Sequence, residues 1–343
     1  MYTKQPKKLL IVNILNILRK YSDAEHRLSQ TDIMNKLKTD YNMDANRKTI
    51  KPNIMDLIDI GYDIEYTETE RSNGTVVYSD FYLNRDFTDE ELRILIDSLL
   101  FSKYIPYNQC KALIEKLEDL SSVHFKYKVR HVTGMPEKYP KNSQLFYNIS
   151  VLDDAIGSKL KVQFKYRDYD ISKKLKTRKN ADGTDKIYIV SPYQMAATNG
   201  RYYLICLNEA HNDITYFRLD RIADIELTNT KAIPVKKVSG YENGLDLPKH
   251  MAEHIYMFSG KSEPVIFRAK KEMITQIIDW FGTDVTFMND TGDHIDVKVT
   301  VNLKAMNYWA MQYANYIKVL SPAALADKIS SELEAAAAGY RRK

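Results

Sequence analysis

Arg218 and Arg221 stand three apart in a tyrosine-rich stretch that also carries Ser191, Tyr193, Arg201, Tyr203 and Tyr216. Guanidinium groups grip phosphate oxygens in pairs, and aromatic faces stack on bases. The set therefore suits a phosphorylated or stacked ligand better than an apolar core. The plainer reading is a structural turn in which Asp220 neutralises one arginine, among tyrosines that simply favour strands. A second group is Arg47, Lys48, Thr49, Lys51 and Asn53. Ile50, Ile54, Leu57 and Ile58 share one helical face there, and Ala45, Lys48, Thr49, Lys51 and Pro52 point largely away from it. A basic, hydroxyl-bearing helix face is what holds phosphates and reads base edges. Pro52 complicates it: either the helix starts late, with Thr49 as N-cap, or it is kinked. His250 and His254 have metal-ligand spacing. Yet the run is His-Met-Ala-Glu-His, not His-Glu-x-x-His, and no third ligand follows, so they read as two surface histidines on a helix.

Composition narrows the classes. The chain has 343 residues, 44% hydrophobic and 28% charged, ordinary values for a folded protein of two or three domains. Only Cys110 and Cys206 are present, too few for a disulfide framework and consistent with a reducing cytoplasm. No apolar run approaches the ~20 residues that span a bilayer, and the basic start, residues 1–8, lacks a cleavable signal pattern. A net charge of +5 permits a nucleic-acid partner without establishing one. There is no phosphate-cradling glycine loop, no nucleophile elbow and no metal set, so neither an enzyme nor a cofactor is expected.

The elements that must position these residues follow from periodicity. Residues 7–21 read as a helix, and Ser29 with Asp32 opens a second. The helix carrying the basic face comes third, with Gly61 at its end. Residues 62–66 and 75–83 alternate as a two-stranded wing around Ser72-Asn73-Gly74. Thr88-Asp89-Glu90-Glu91 starts a helix with an apolar stripe, residues 108–120 form another, and residues 125–147 read as a basic loop. In that loop Lys126, Lys128, Arg130 and Lys138 interleave with Tyr127 and Tyr139. Residues 151–160 read as a short helix. Val162, Phe164 and Tyr166 alternate as a strand, residues 168–186 are a charged insertion, and residues 187–227 hold further short strands. Residues 248–256 read as a helix. From residue 263 onward the order strand-helix-strand-strand-helix-strand is ferredoxin-like, with Trp309 and Tyr313 in the core. Ser321-Pro322 then starts a last helix, with Pro322 at its first position.

Ser191-Pro192-Tyr193, Gly200-Arg201-Tyr202-Tyr203-Leu204 and Phe217-Arg218-Leu219-Asp220-Arg221-Ile222 resemble the WYL domain of bacterial transcriptional regulators. The name-giving Trp-Tyr-Leu stands here as Tyr202-Tyr203-Leu204. Tyr316-Ile317-Lys318-Val319-Leu320-Ser321-Pro322 resembles the C-terminal extension of that family. The resemblance implies an α+β multidomain chain. Residues 1–86 would be a winged helix-turn-helix that binds DNA, and residues 87–148 a helical connector. Residues 149–232 would be a WYL sensor with an Sm- or SH3-like barrel, residues 233–262 a linker, and residues 263–343 the extension. It implies a homodimeric, ligand-responsive regulator on a DNA operator. The sensor ligand would be a nucleotide or short nucleic acid at Ser191, Tyr193, Tyr203, Arg218 and Arg221, with Arg201 and Tyr216 behind them. Arg218→Ala would then abolish the response and leave the fold intact. The competing reading is an accessory protein that binds RNA or single-stranded DNA without regulating a promoter.

Overall fold

Apolar residues at helical spacing give the N-terminal region its core. The computed structural model describes residues 6–128, 144–210 and 213–341. Contacts divide the chain into Met1–Lys141 and Asn142–Lys343. In the first unit, α1 (Leu10–Tyr21), α2 (Gln30–Tyr41) and α3 (Arg47–Asp59) bury Ile14, Leu18, Ile33, Leu37, Ile50 and Ile54 together. Ser29 and Asp32 form the expected reciprocal cap on α2. The third helix starts earlier than the late-start reading has it. Asn46, not Thr49, is its N-cap, accepting from the Lys48 N–H at 3.1 Å, and Pro52 lies inside it. Gly61, at φ +102°, releases the chain into β1 (Ile64–Glu70), which pairs antiparallel with β2 (Val76–Leu83). Thr88 and Glu91 cap α4 (Asp89–Phe101), followed by α5 (Tyr107–Glu118) and α6 (Val123–Lys128). Leu92, Ile96 and Phe125 join these helices in a small core. The stretch expected to be a basic loop therefore begins as helix, and Arg130, Lys138 and Tyr139 fall outside the described residues.

In the second unit α7 (Leu145–Ser158) begins before the expected residue 151, because Leu145, Asn148, Leu152 and Ala155 form one buried stripe. Six strands follow: β3 (Leu160–Tyr169), β4 (Leu175–Thr177), β5 (Ile187–Thr198), β6 (Arg201–Asn208), β7 (Asp213–Arg218) and β8 (Ile222–Lys231). The sheet runs β4-β3-β5-β6-β7, with β8 also pairing β3. It is not the expected closed barrel. β7 and β8 are joined by a single 3-10 turn, Leu219–Arg221, and share no ladder among the described residues. The charged insertion contributes β4, whose residues extend the β3 edge from Arg167↔Thr177 to Tyr169↔Leu175.

Residues 232–261 carry α8 (Leu247–Glu253). Next come β9 (Ser262–Lys270), α9 (Ile274–Phe281), β10 (Thr286–Met288), β11 (His294–Asn302), α10 (Leu303–Gln312) and β12 (Ile317–Ser321). These strands form one antiparallel sheet ordered β10-β11-β9-β12. Phe267, Phe281 and the fully buried Trp309 are the centre of its core. Pro322 is the N-cap of α11 (Ala323–Tyr340) rather than its first residue. No described helix is long and apolar enough to cross a membrane.

Candidate functional site

The second unit's open sheet sets the geometry of the tyrosine–arginine set. In an antiparallel pair, directly opposed residues share a face. Tyr203 lies opposite both Ala196 and Arg218, and Ile205 lies opposite Tyr216. Asn199 (φ +50°) and Gly200 (φ +68°) make the tight turn between β5 and β6, which fixes that register. Tyr193 sits at a register shift between Pro192 and Gln194. Tyr193, Tyr203 and Tyr216 pack in one cluster with Ile205, Leu207 and residues of the following segment, including Val238, Tyr241 and Met257.

That segment takes up the hydroxyls expected to face a ligand. Ser191 is fully buried, and its Oγ accepts from the Ile233 N–H at 2.9 Å. Tyr193 Oη donates to the Ile233 carbonyl at 2.8 Å. Tyr216 Oη lies 2.7 Å from His250 Nε2, and burial pushes its phenol well above the ordinary value. Arg201 is exposed at the start of β6. Ser191, Tyr193 and Tyr216 thus fasten the chain's own linker to the sheet.

The reading of His250 and His254 as surface residues is wrong. Both are buried, at 5% and 3% exposure, with rings stacked 4.3 Å apart. His250 lies between Tyr216 and Tyr241, and His254 meets the Phe258 carbonyl and Ser262 Oγ. Burial, with His254 adding to it, lowers His250 to about 3, and burial lowers His254 as well. A cleft of about 770 Å³ opens beside them, lined by Asp213, Tyr241, Lys249 and Lys261 among others.

The arginines gather separately, around the 3-10 turn. Arg218 grips Asp220 through two bonds, Nε–Oδ1 at 3.0 Å and Nη2–Oδ2 at 2.6 Å. The plainer sequence reading, a salt-bridged turn, is therefore realised at Arg218. Arg221 Nη1 reaches Asp168 at 3.2 Å, and its guanidinium lies 5.6 Å from the Tyr169 ring centroid. Asp168 also receives Arg178 Nε at 2.6 Å. Asn148 of α7 holds the turn in place, donating to the Leu219 and Ile222 carbonyls. Arg221 Nε and Arg167 Nε are buried with no hydrogen-bond partner among the described residues. The ladder pair Tyr166↔Ile222 places these two arginines at neighbouring positions.

Arg167, Arg178, Asp168 and Asn148 were not singled out from sequence. Arg178 lay in a segment read as insertion, and Asn148 lay outside the expected helix. The only signal for Asn148 was a polar residue on the Leu145/Leu152/Ala155 stripe.

Residues 147–227 match the WYL domain family. The chain carries a WYL domain. The match runs from α7 into β8, so Tyr193, Tyr203, Tyr216 and the arginine cluster lie within it. Two solved structures align over 99% of the chain at 12% identity. One is proteasome accessory factor B/C (PafBC) of Arthrobacter aurescens, covered over 50% of its length with a TM-score of 0.29. The other is a CRISPR Cas-related protein, covered over 88% with a TM-score of 0.35. The chain thus spans half the length of PafBC. No curated protein matches the chain.

In the first unit, Arg47, Lys48 and Thr49 are exposed on the opening turn of α3. Thr49 Oγ1 donates to the Asn46 carbonyl at 2.7 Å and keeps its lone pairs for a donor. The other two candidates are engaged within the unit. Lys51 Nζ lies 3.2 Å from the Tyr78 ring centroid, and Asn53 Nδ2 donates to the Thr49 carbonyl at 2.7 Å. Arg71, missed from sequence, is exposed where the turn joins β1 to β2. Its only sequence signal was a basic residue beside Ser72-Asn73-Gly74.

Proposed function

We propose that this chain is a ligand-responsive, DNA-binding transcriptional regulator whose WYL domain senses an anionic, nucleotide-like ligand. In this reading residues 1–86 act as a winged helix-turn-helix, with α3 in the major groove and the β1–β2 hairpin as wing. The open WYL sheet acts as the sensor, and the last sheet as a ferredoxin-like extension used in a homodimer. The protein works in the cytoplasm and performs no catalysis.

The observation that carries the sensing half is a pair of buried guanidinium nitrogens, Arg167 Nε and Arg221 Nε, that have no partner among the described residues and lie beside Tyr169. A buried charged donor without an acceptor is costly, and a phosphate oxygen would satisfy both. The DNA half rests on the exposed Arg47 and Lys48 at the start of a capped helix that is followed by a hairpin.

A gel shift on the chain's own upstream promoter, against a scrambled duplex with excess competitor, tests the whole reading. A discrete promoter complex is expected, released or strengthened by a nucleotide or short single strand. Arg47→Ala and Lys48→Ala should each lower the slope of log affinity against log salt by about 1. Equal binding to every duplex, with tight binding to random single strands, would favour the accessory-protein reading instead.

A further inference from the structure

The loop between α1 and α2 and the start of α6 bring together residues that sequence spacing could not connect. Asp23, His26 and His124 each present one ligand atom, all within 4.8 Å of one another. The His26 and His124 rings stack at 3.6 Å with 6° between their planes. His26 Nδ1 lies 2.8 Å from Asp23 Oδ1. We propose that Asp23, His26 and His124 form a divalent transition-metal site of the zinc class, which ties the α1–α2 loop to α6.

The donor set fits that class. Two imidazoles and one carboxylate suit Zn²⁺ and its neighbours, whereas Mg²⁺ and Ca²⁺ want oxygens alone. The 2.8 Å edge between nitrogen and oxygen is close to the ~3.0–3.3 Å that separates adjacent ligands at bond lengths near 2 Å. The ion would take the place of the proton now shared on that edge, and the proton would leave to solvent. His124 must turn about its χ2 so that one nitrogen points where His26 Nδ1 points, and water completes the coordination.

The carboxylate is already held. Asp23 Oδ2 accepts from Ser122 Oγ at 2.7 Å, and Oδ1 accepts from the Glu25 and His26 N–H groups at 3.0 and 2.8 Å. Supporting bonds of this kind fix a ligand's orientation in natural metal sites. The His124 imidazole has no hydrogen-bond partner among the described residues, so turning it breaks none. Arg85 also faces Asp23 electrostatically, and its guanidinium is turned to the carbonyls of Arg19, Ser22 and Leu120. Asp89 opposes that charge.

The full chain, stripped with a chelator, would be titrated with Co²⁺ and read by its visible d–d absorption. One Co²⁺ per chain is expected, displaced by Zn²⁺. His26→Gln and His124→Gln should each weaken binding by at least about tenfold. His294→Gln, on a strand of the other unit, should not. Thermal melts in chelator establish that the variants are folded, and added Zn²⁺ should raise the melting temperature of the parent alone. If His124→Gln unfolds early, the exposed His26→Gln decides by itself. No saturable Co²⁺ spectrum, or equal affinity in parent and variants, would overturn the assignment.

Discussion

Arg218 shows why one residue can be right in type and misjudged in consequence. Its side chain is 15% exposed and that of its partner Asp220 10%. Removing the arginine takes a bidentate charged partner from a largely buried carboxylate. Arg218→Ala should therefore cost about 2–3 kcal/mol of stability, somewhat below the ~3–5 of a fully buried pair. It would not leave the fold untouched, as the sequence alone suggests. Urea melts check this, and the double variant Arg218→Ala/Asp220→Ala should recover much of the loss. Arg221→Ala is the cleaner probe of ligand response, since Asp168 keeps Arg178. His250 makes a pH prediction with a definite sign. Its ordinary value is 6.5 and its folded value about 3, so between these the unfolded chain binds the extra proton. Stability should fall as pH drops below 6.5, by about 2 kcal/mol at pH 5 from this group. The lowered His254 adds to the loss, and the nearby Asp213 and Glu253 charges temper it. Melts at pH 7, 6 and 5 should show the slope, and His250→Gln should flatten it. A parent whose stability is level over that range would refute the burial account.

At the scale of elements, α3 is the one built against its own propensities. Pro52 lies inside it and cannot donate to the Lys48 carbonyl one turn back. The helix persists because Ile50, Ile54 and Leu57 are locked in the core and Asn46 caps its start. Pro52→Ala should raise stability by about 1–3 kcal/mol, read by denaturant melts, because Pro52 is exposed and the alanine restores a backbone donor. A loss of stability would mean that the proline fixes the helix path. Elements were legible where the signal is local. Ser29 with Asp32 and Thr88 with Glu91 each specify a helix start within four residues, and both caps form. What escaped was set by distant partners. The burial of His250 depends on Tyr216 and Tyr241, and α7 starts early because Asn148 finds carbonyls beyond residue 218. The open edge between β7 and β8 likewise follows from where β8 finds β3, not from its own alternation. The arginine cluster was half visible. Arg218 and Arg221 lie in a telling run, whereas Arg178 and Asp168 join them only through the β3–β4–β5 pairing.

For the whole molecule, the division into two units separates the two halves of the proposed function. The exposed basic turn of α3 lies in Met1–Lys141, and the arginine cluster lies in Asn142–Lys343. Each unit has its own core, centred on Ile14, Ile50 and Phe81 in the first and on Phe267 and Trp309 at the end of the second. A regulator built this way needs coupling between its sites, and coupling free energies are reciprocal. If a nucleotide-like ligand weakens operator binding by some factor, the operator must weaken ligand binding by the same factor. Both titrations on the full chain should therefore agree, with a coupling of about 1–3 kcal/mol. Residues 1–141 alone should bind the promoter with no ligand effect, and residues 142–343 alone should bind ligand with no promoter effect. The linker makes a sharper demand. Ser191 and Tyr193 both bond to Ile233, and Tyr216 to His250, so the segment after the WYL domain is fastened to the sheet that carries Arg218. Tyr193→Phe and Tyr216→Phe each remove one fastening and leave the ring packed. They should alter the coupling while leaving the ligand affinity of residues 142–343 within about twofold, since the arginine cluster is intact. A change in that affinity with the coupling preserved would place the tyrosines in the ligand site itself, and the linker would then be packing alone.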